Sequence, residues 1–119
     1  MTGSLVDRSD GREIAGRVVR AAGPIGRTVG LLGRKSLEPG EGMWFDGAAS
    51  VHTFAMRTSI DVVFVDGNGC VLHVVESLPP WRAAAARGAR DIVELAPGTC
   101  AAAGLRVGTL IEMRWHSPT

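Results

Sequence analysis

Ile60-Asp61-Val62-Val63-Phe64-Val65-Asp66-Gly67-Asn68-Gly69-Cys70-Val71-Leu72-His73-Val74-Val75 decides the fold. Its first six residues are almost all β-branched or aromatic, which suits a pleated, buried surface. Asp66-Gly67-Asn68-Gly69 is a tight-turn sequence, because Gly, Asn and Asp tolerate the backbone that reverses a chain. A second apolar run returns from Cys70 to Val75. The pattern predicts a β-hairpin.

Upstream, Ser50–Met56 (SVHTFAM) alternates and predicts a strand, with His52, Phe54 and Met56 on one face. If it pairs with residues 60–65 around Thr58, His52 faces the neighbourhood of Phe64 and lies too far from Asp61 for a hydrogen bond. Met43-Trp44-Phe45 reads as a shorter strand after the turn Glu38-Pro39-Gly40-Glu41-Gly42. Arg17–Ala22 reads as a first strand. Ile25, Val29 and Leu32 share one helical face between Pro24 and Gly33, so a short helix is expected there.

Downstream, Pro79-Pro80 stiffens a loop that presents Trp81 and Arg82. Ala83–Arg90 reads as a short helix or an adaptable loop. Asp91–Leu95 and Thr109–Trp115 read as strands. Between them, Cys100–Ala103 followed by Gly104 reads as one helical turn with a glycine cap. Residues 1–15 interleave Asp7, Arg8, Asp10, Arg12 and Glu13 and read as a flexible N-terminal tail, leaving 16–119 as one compact domain. The expected class is mostly β within α+β: a small antiparallel bent sheet or barrel-like domain with one or two short helices.

Composition narrows the function classes. A chain of 119 residues suits one domain, and its 16 glycines favour turns over long helices. Thirteen basic against twelve acidic residues give a net charge of +1, which offers no global attraction to nucleic acid or an anionic membrane. No apolar run approaches the ~20 residues of a membrane helix. The start lacks a signal-peptide pattern, and the two cysteines form no CxxC pair, so free thiols and a cytoplasmic location are expected. His52, His73, His116, Cys70 and Cys100 lack chelating spacing, so no metal is expected, and no glycine motif indicates a nucleotide or other cofactor.

The order of these pieces resembles the bacterial and archaeal family named domain of unknown function 192. The resemblance rests on Gly30-Leu31-Leu32, Leu37, Gly40-Glu41-Gly42-Met43, Ser50 to Arg57, Ile60 to Asp66, Val71-Leu72, Pro79-Pro80-Trp81-Arg82, Val93 to Thr99 and Gly108. It spans about residues 28–112, and His52 to Asp66 is its most specific part. It implies a compact, mostly antiparallel β fold with short helices and a site, and no particular reaction. Some members carry a secretory leader; the start of this sequence departs from that pattern, in line with the expected cytoplasmic location.

Three readings of the polar residues follow. In the first, His52, Met56, Arg57, Trp81 and Arg82 form a non-catalytic site for a small anionic ligand or a peptide, between the His52–Asp66 segment and the Pro79–Arg82 loop. Trp81 there is either a lid over a pocket mouth or a plug in the barrel end. In the second, His52 works with Asp61 or Glu41 as a small hydrolase, since His titrates in the range a general base needs. In the third, the polar residues hold the fold and function lies on a partner surface. Asp61 in an apolar strand needs a structural partner, either Arg57 or the backbone of the bend at residues 57–59. Glu41 reads as an exposed residue of a glycine turn. Neither a partner nor an oligomeric state is specified by the sequence.

Overall fold

The computed structural model describes residues 1–21, 36–53 and 56–116. The helix expected between Pro24 and Gly33 lies outside them. Nine strands and one helix are present among the described residues: β1 (Thr2–Asp7), β2 (Glu13–Ala21), β3 (Glu41–Asp46), β4 (Ser50–His52), β5 (Ile60–Val65), β6 (Val71–Leu78), β7 (Ala83–Ala85), β8 (Asp91–Leu95), α1 (Thr99–Ala103) and β9 (Ile111–Trp115).

Seven strands form one sheet in the order β6-β5-β8-β3-β2-β1-β9, and β4 with β7 forms a second, two-stranded sheet. The hairpin that anchors the sequence reading is β5–β6, paired antiparallel from Ile60↔Leu78 to Val65↔Val71. The large sheet is mixed, because β2 and β3 run parallel from Arg17↔Glu41 to Ala21↔Phe45. It bends without closing into a barrel. Its two edges meet at one corner, where Cys70 bridges Leu110 and Ile111 N–H donates to the Gly69 carbonyl at 2.9 Å. Gly69 is required there: its φ is +83°, and a Cβ would fall 2.5 Å from the Ile111 carbonyl oxygen.

Every residue of β5 is buried, since the sheet is covered on both faces. Ile60, Val62 and Phe64 join Met43, Phe45, Ile92, Leu37 and Met56 in one core layer, against which Val51 and Ala84 of the small sheet pack. Val63, Val65, Val93 and Leu95 point the other way, into a layer with Leu5, Val18, Cys100 and Leu105. Alternation along each strand makes this sorting, so a residue's position decides which layer it enters.

Three expectations are corrected. The residues read as a tail form β1 and the start of β2, and Leu5 is fully buried between β2 and β9. The charges that suggested a loose leader belong to the turn between them, where Asp7 accepts from Ser9 N–H and Asp10 from Arg12 N–H. The alanine run is strand β7, paired with β4 through His52↔Ala83. Four alanines ahead of Arg87 and Gly88 are too few to nucleate a helix, and the partner strand decides their conformation. β4 consequently does not pair with β5, whose neighbours are β6 and β8.

Candidate functional site

Thr53 joins the two segments from which a site was expected. It is fully buried at the end of β4. Its N–H donates to the Arg82 carbonyl at 2.8 Å. Its Oγ1 donates to the Pro79 carbonyl at 2.6 Å and accepts from Arg82 N–H at 2.9 Å. Its carbonyl accepts from both Trp81 N–H, at 3.0 Å, and Met56 N–H, at 3.2 Å. One residue therefore gathers Met56, Pro79, Trp81 and Arg82, and two prolines explain the need: Pro79-Pro80 has no N–H with which to extend a strand.

The clasp holds Trp81 at φ +63°, a left-handed backbone that a bulky residue rarely adopts, and leaves it 62% exposed. Trp81 is thus not buried as a plug in the sheet. Arg57, Arg82 and His52 are exposed, whereas Met56 is buried in the core layer beneath the small sheet. Residues 47–60 and 77–90, which carry this region, contain Arg57, Arg82, Arg87, Arg90 and His52 and no acid. All five are exposed. These segments carry four arginines in a chain balanced in total charge, and Asp91 lies at their margin, accepting from Gly47 N–H at 3.0 Å.

Asp61 takes no part in that lobe. It is fully buried and points into the opposite layer, where one oxygen accepts from Ser77 N–H at 2.8 Å and the other from Cys100 N–H at 2.9 Å. The second bond satisfies a donor in the first turn of α1 that the helix cannot use internally. The expected Arg57 pairing does not occur, and the donors come from β6 and α1 instead of the bend at residues 57–59. β4 covers the other face of the sheet, so a His52–Asp61 dyad is excluded by topology. Burial, reinforced by the nearby Asp61 carboxylate, pushes the Cys100 thiol well above its usual range, making it a poor nucleophile.

Glu41 is a buried strand residue, not an exposed one of a turn. Its carboxylate meets Arg17 at 2.8 Å and accepts from Glu38 N–H at 3.0 Å.

Glu94 was missed. It lies in β8 opposite Met43 and Val62, in the core layer that the small sheet covers. It is 1% exposed, and its Oε1 has no hydrogen-bond partner among the described residues. Burial raises its carboxyl to about 8, so it is mostly protonated at neutral pH. The sequence did hold a signal: Ile92, Glu94 and Ala96 alternate with Val93 and Leu95, so both faces of this strand are apolar except at one acid. Among the described residues, no group of three or more His, Cys, Asp or Glu is placed to hold a metal, and no helix is long and apolar enough to cross a membrane.

Residues 5–113 match the model of the family DUF192, described as "Uncharacterized ACR". No curated protein sequence gives a significant match. Two solved structures are similar over most of their length. One, from Sinorhizobium meliloti, is provisionally described as a transcription regulator; it is 25% identical, with 94% of this chain and 92% of that one covered and a TM-score of 0.78. The other, a protein of unknown function from Novosphingobium aromaticivorans, is 21% identical, with 94% and 84% covered and a TM-score of 0.74.

Proposed function

The chain belongs to the DUF192 family, and from that premise we propose that it is a non-catalytic binding domain for a small anionic ligand. The site is the lobe where the His52–Asp66 segment meets the Pro79–Arg82 loop. The carrying observation is the Thr53 clasp, which holds Trp81 exposed in a strained conformation beside Arg82. Strain of this kind costs about 1–3 kcal/mol and persists only where the surroundings enforce it. An aromatic face with a neighbouring guanidinium offers a flat apolar surface and a bidentate anion contact.

The concentration of cations favours an anion over a neutral or cationic ligand. Catalysis by His52 is disfavoured because Asp61 faces the other layer and Glu41 is tied to Arg17. Intracellular residence accords with the free cysteines Cys70 and Cys100.

Melting of the protein against a panel of small carboxylates, phosphates and sulfonates, beside amines of matched size, tests this reading. Stabilisation by at least one anion, abolished in the double variant Arg57→Ala, Arg82→Ala, is expected. Stabilisation by amines alone, or anion effects that survive in the double variant, would remove the lobe as the site.

A further inference from the structure

Among the described buried side-chain atoms, only Glu94 Oε1 is without a partner. The other buried polar groups are bonded: Asp61 by two backbone N–H groups, Thr53 by the loop, Glu41 by Arg17 and Glu38. An orphan in a fold that otherwise satisfies its buried polar atoms calls for a partner that the described residues do not supply.

The surroundings narrow what that partner is. Across the strands stand Met43 and Val62; Ile92 and Ala96 share the face, with Phe45 and Phe64 opposite Ile92. These walls take an apolar group, and Met43 and Met56 can adapt to its shape. Part of the cover is thin: β4 and β7 have three residues each, with Val51, Ala84 and Ala86 facing the layer. Arg82 precedes β7 and Arg87 follows it, both exposed. An ammonium would meet like charge on approach, whereas a carboxylate would be attracted.

We propose that Glu94 is the inner anchor of a ligand site between the two sheets, where its carboxylic acid donates a hydrogen bond to the carboxylate of a ligand with a short apolar tail. The inference rests on the basic lobe as the entrance. A carboxylic acid donating to a carboxylate makes a short, charge-assisted bond, about twice as strong as a neutral one. The ligand's tail lies against Met43, Val62 and Met56, and the proton that Glu94 contributes is shared between the two carboxyl groups, which carry a single negative charge between them. The carboxylate belongs either to a free short-chain acid or to the C-terminus of an apolar-ended peptide. No covalent step is involved.

A neutral Glu94 is necessary, and its surroundings keep it neutral. From β3, Glu41 shares its face and is paired with Arg17 of β2; from β5, only Ile60, Val62 and Phe64 face it; from the small sheet, Val51 and Ala84 do. No described cation reaches Glu94, and burial is the whole cause of its raised value, about 8. Ionisation above that value places two carboxylates together and expels the ligand.

Calorimetry with hexanoate, hexanamide, hexylammonium and an acetylated Ala-Leu dipeptide, with its C-terminus free or amidated, decides the matter. Hexanoate or the free-ended dipeptide should bind, with affinity falling roughly tenfold per pH unit above about 8. Which of the two binds identifies the source of the carboxylate. Glu94→Gln, whose amide still donates, should bind without that pH dependence. Glu94→Leu, which should fold at least as well, should weaken binding more than about tenfold. Binding that Glu94→Gln and Glu94→Leu leave unchanged, while Arg57→Ala, Arg82→Ala abolishes it, would confine the ligand to the lobe and overturn the inner site alone. Preference for hexylammonium or hexanamide, or no binding by either carboxylate, would overturn it outright.

Discussion

Asp61 and Glu94 stand on adjacent strands, one position out of register, and point to opposite faces of the same sheet. Asp61 pairs across to Leu95 and Glu94 to Val62. Both are carboxyl groups sealed from water. One receives two backbone N–H bonds and ties β6 and α1 to the sheet, while the other has an oxygen with no partner among the described residues. The difference separates a residue bonded into the fold from one that the proposed site would engage.

Glu94 should lower stability as pH rises. Its folded value, about 8, lies above its unfolded value near 4.5, so the folded state keeps a proton that the unfolded state releases between those limits. The stability of the native protein therefore falls across that window, by up to roughly 1.4 kcal/mol per pH unit, and the fall stops once pH exceeds about 8. Glu94→Leu should remove this component. Urea midpoints of the two proteins across the window measure it, and curves that stay parallel would show that Glu94 ionises normally.

Asp61→Asn should destabilise the protein by roughly 3 kcal/mol, because an amide can accept through one oxygen only and strands the donor of Ser77 or Cys100. The loss should be accompanied by faster amide exchange in α1. A change below about 0.5 kcal/mol would mean that water replaces the carboxylate easily.

Thr53→Val keeps the shape and removes the hydroxyl that holds Pro79 and Arg82. A cost of about 1–3 kcal/mol is expected, with increased exchange at the Arg82 amide. Binding should weaken as well, since Trp81 loses the restraint on its left-handed backbone. Unchanged exchange at Arg82 would show that the backbone bonds of Thr53 suffice to hold the loop.

Gly69→Ala should open the corner where the sheet edges meet. The added Cβ would stand 2.5 Å from the Ile111 carbonyl, at a φ that disfavours any side chain. A loss of about 2 kcal/mol or more is expected, with faster exchange at the Ile111 amide. A neutral substitution would mean that the corner shifts without strain.

The central hairpin was legible because β5 is apolar on both faces and Asp66 to Gly69 reverses the chain; local chemistry and final structure agree there. β1 was not legible, since only Leu5 and Val6 announce it and the charged turn after it dominates the pattern. Its partners β2 and β9 supply what its own sequence lacks. β7 was hidden for the same reason, as alanines take the conformation of the strand beside them. The site was half legible. Pro79–Arg82 and His52–Arg57 do converge, but through Thr53, whose importance follows from carbonyls that the two prolines leave without a strand partner. Asp61 drew attention as an acid in an apolar strand, and Glu94 meets that same criterion in β8.

Residue-resolved NMR titration of the protein with hexanoate tests the binding account most directly. The account requires shifts that saturate and cluster at Thr53, Met56, Trp81, Arg82 and Glu94, with the amides of α1 on the other face unmoved. Shifts confined to α1 and the β1–β9 edge, or none up to the solubility of the ligand, would contradict it.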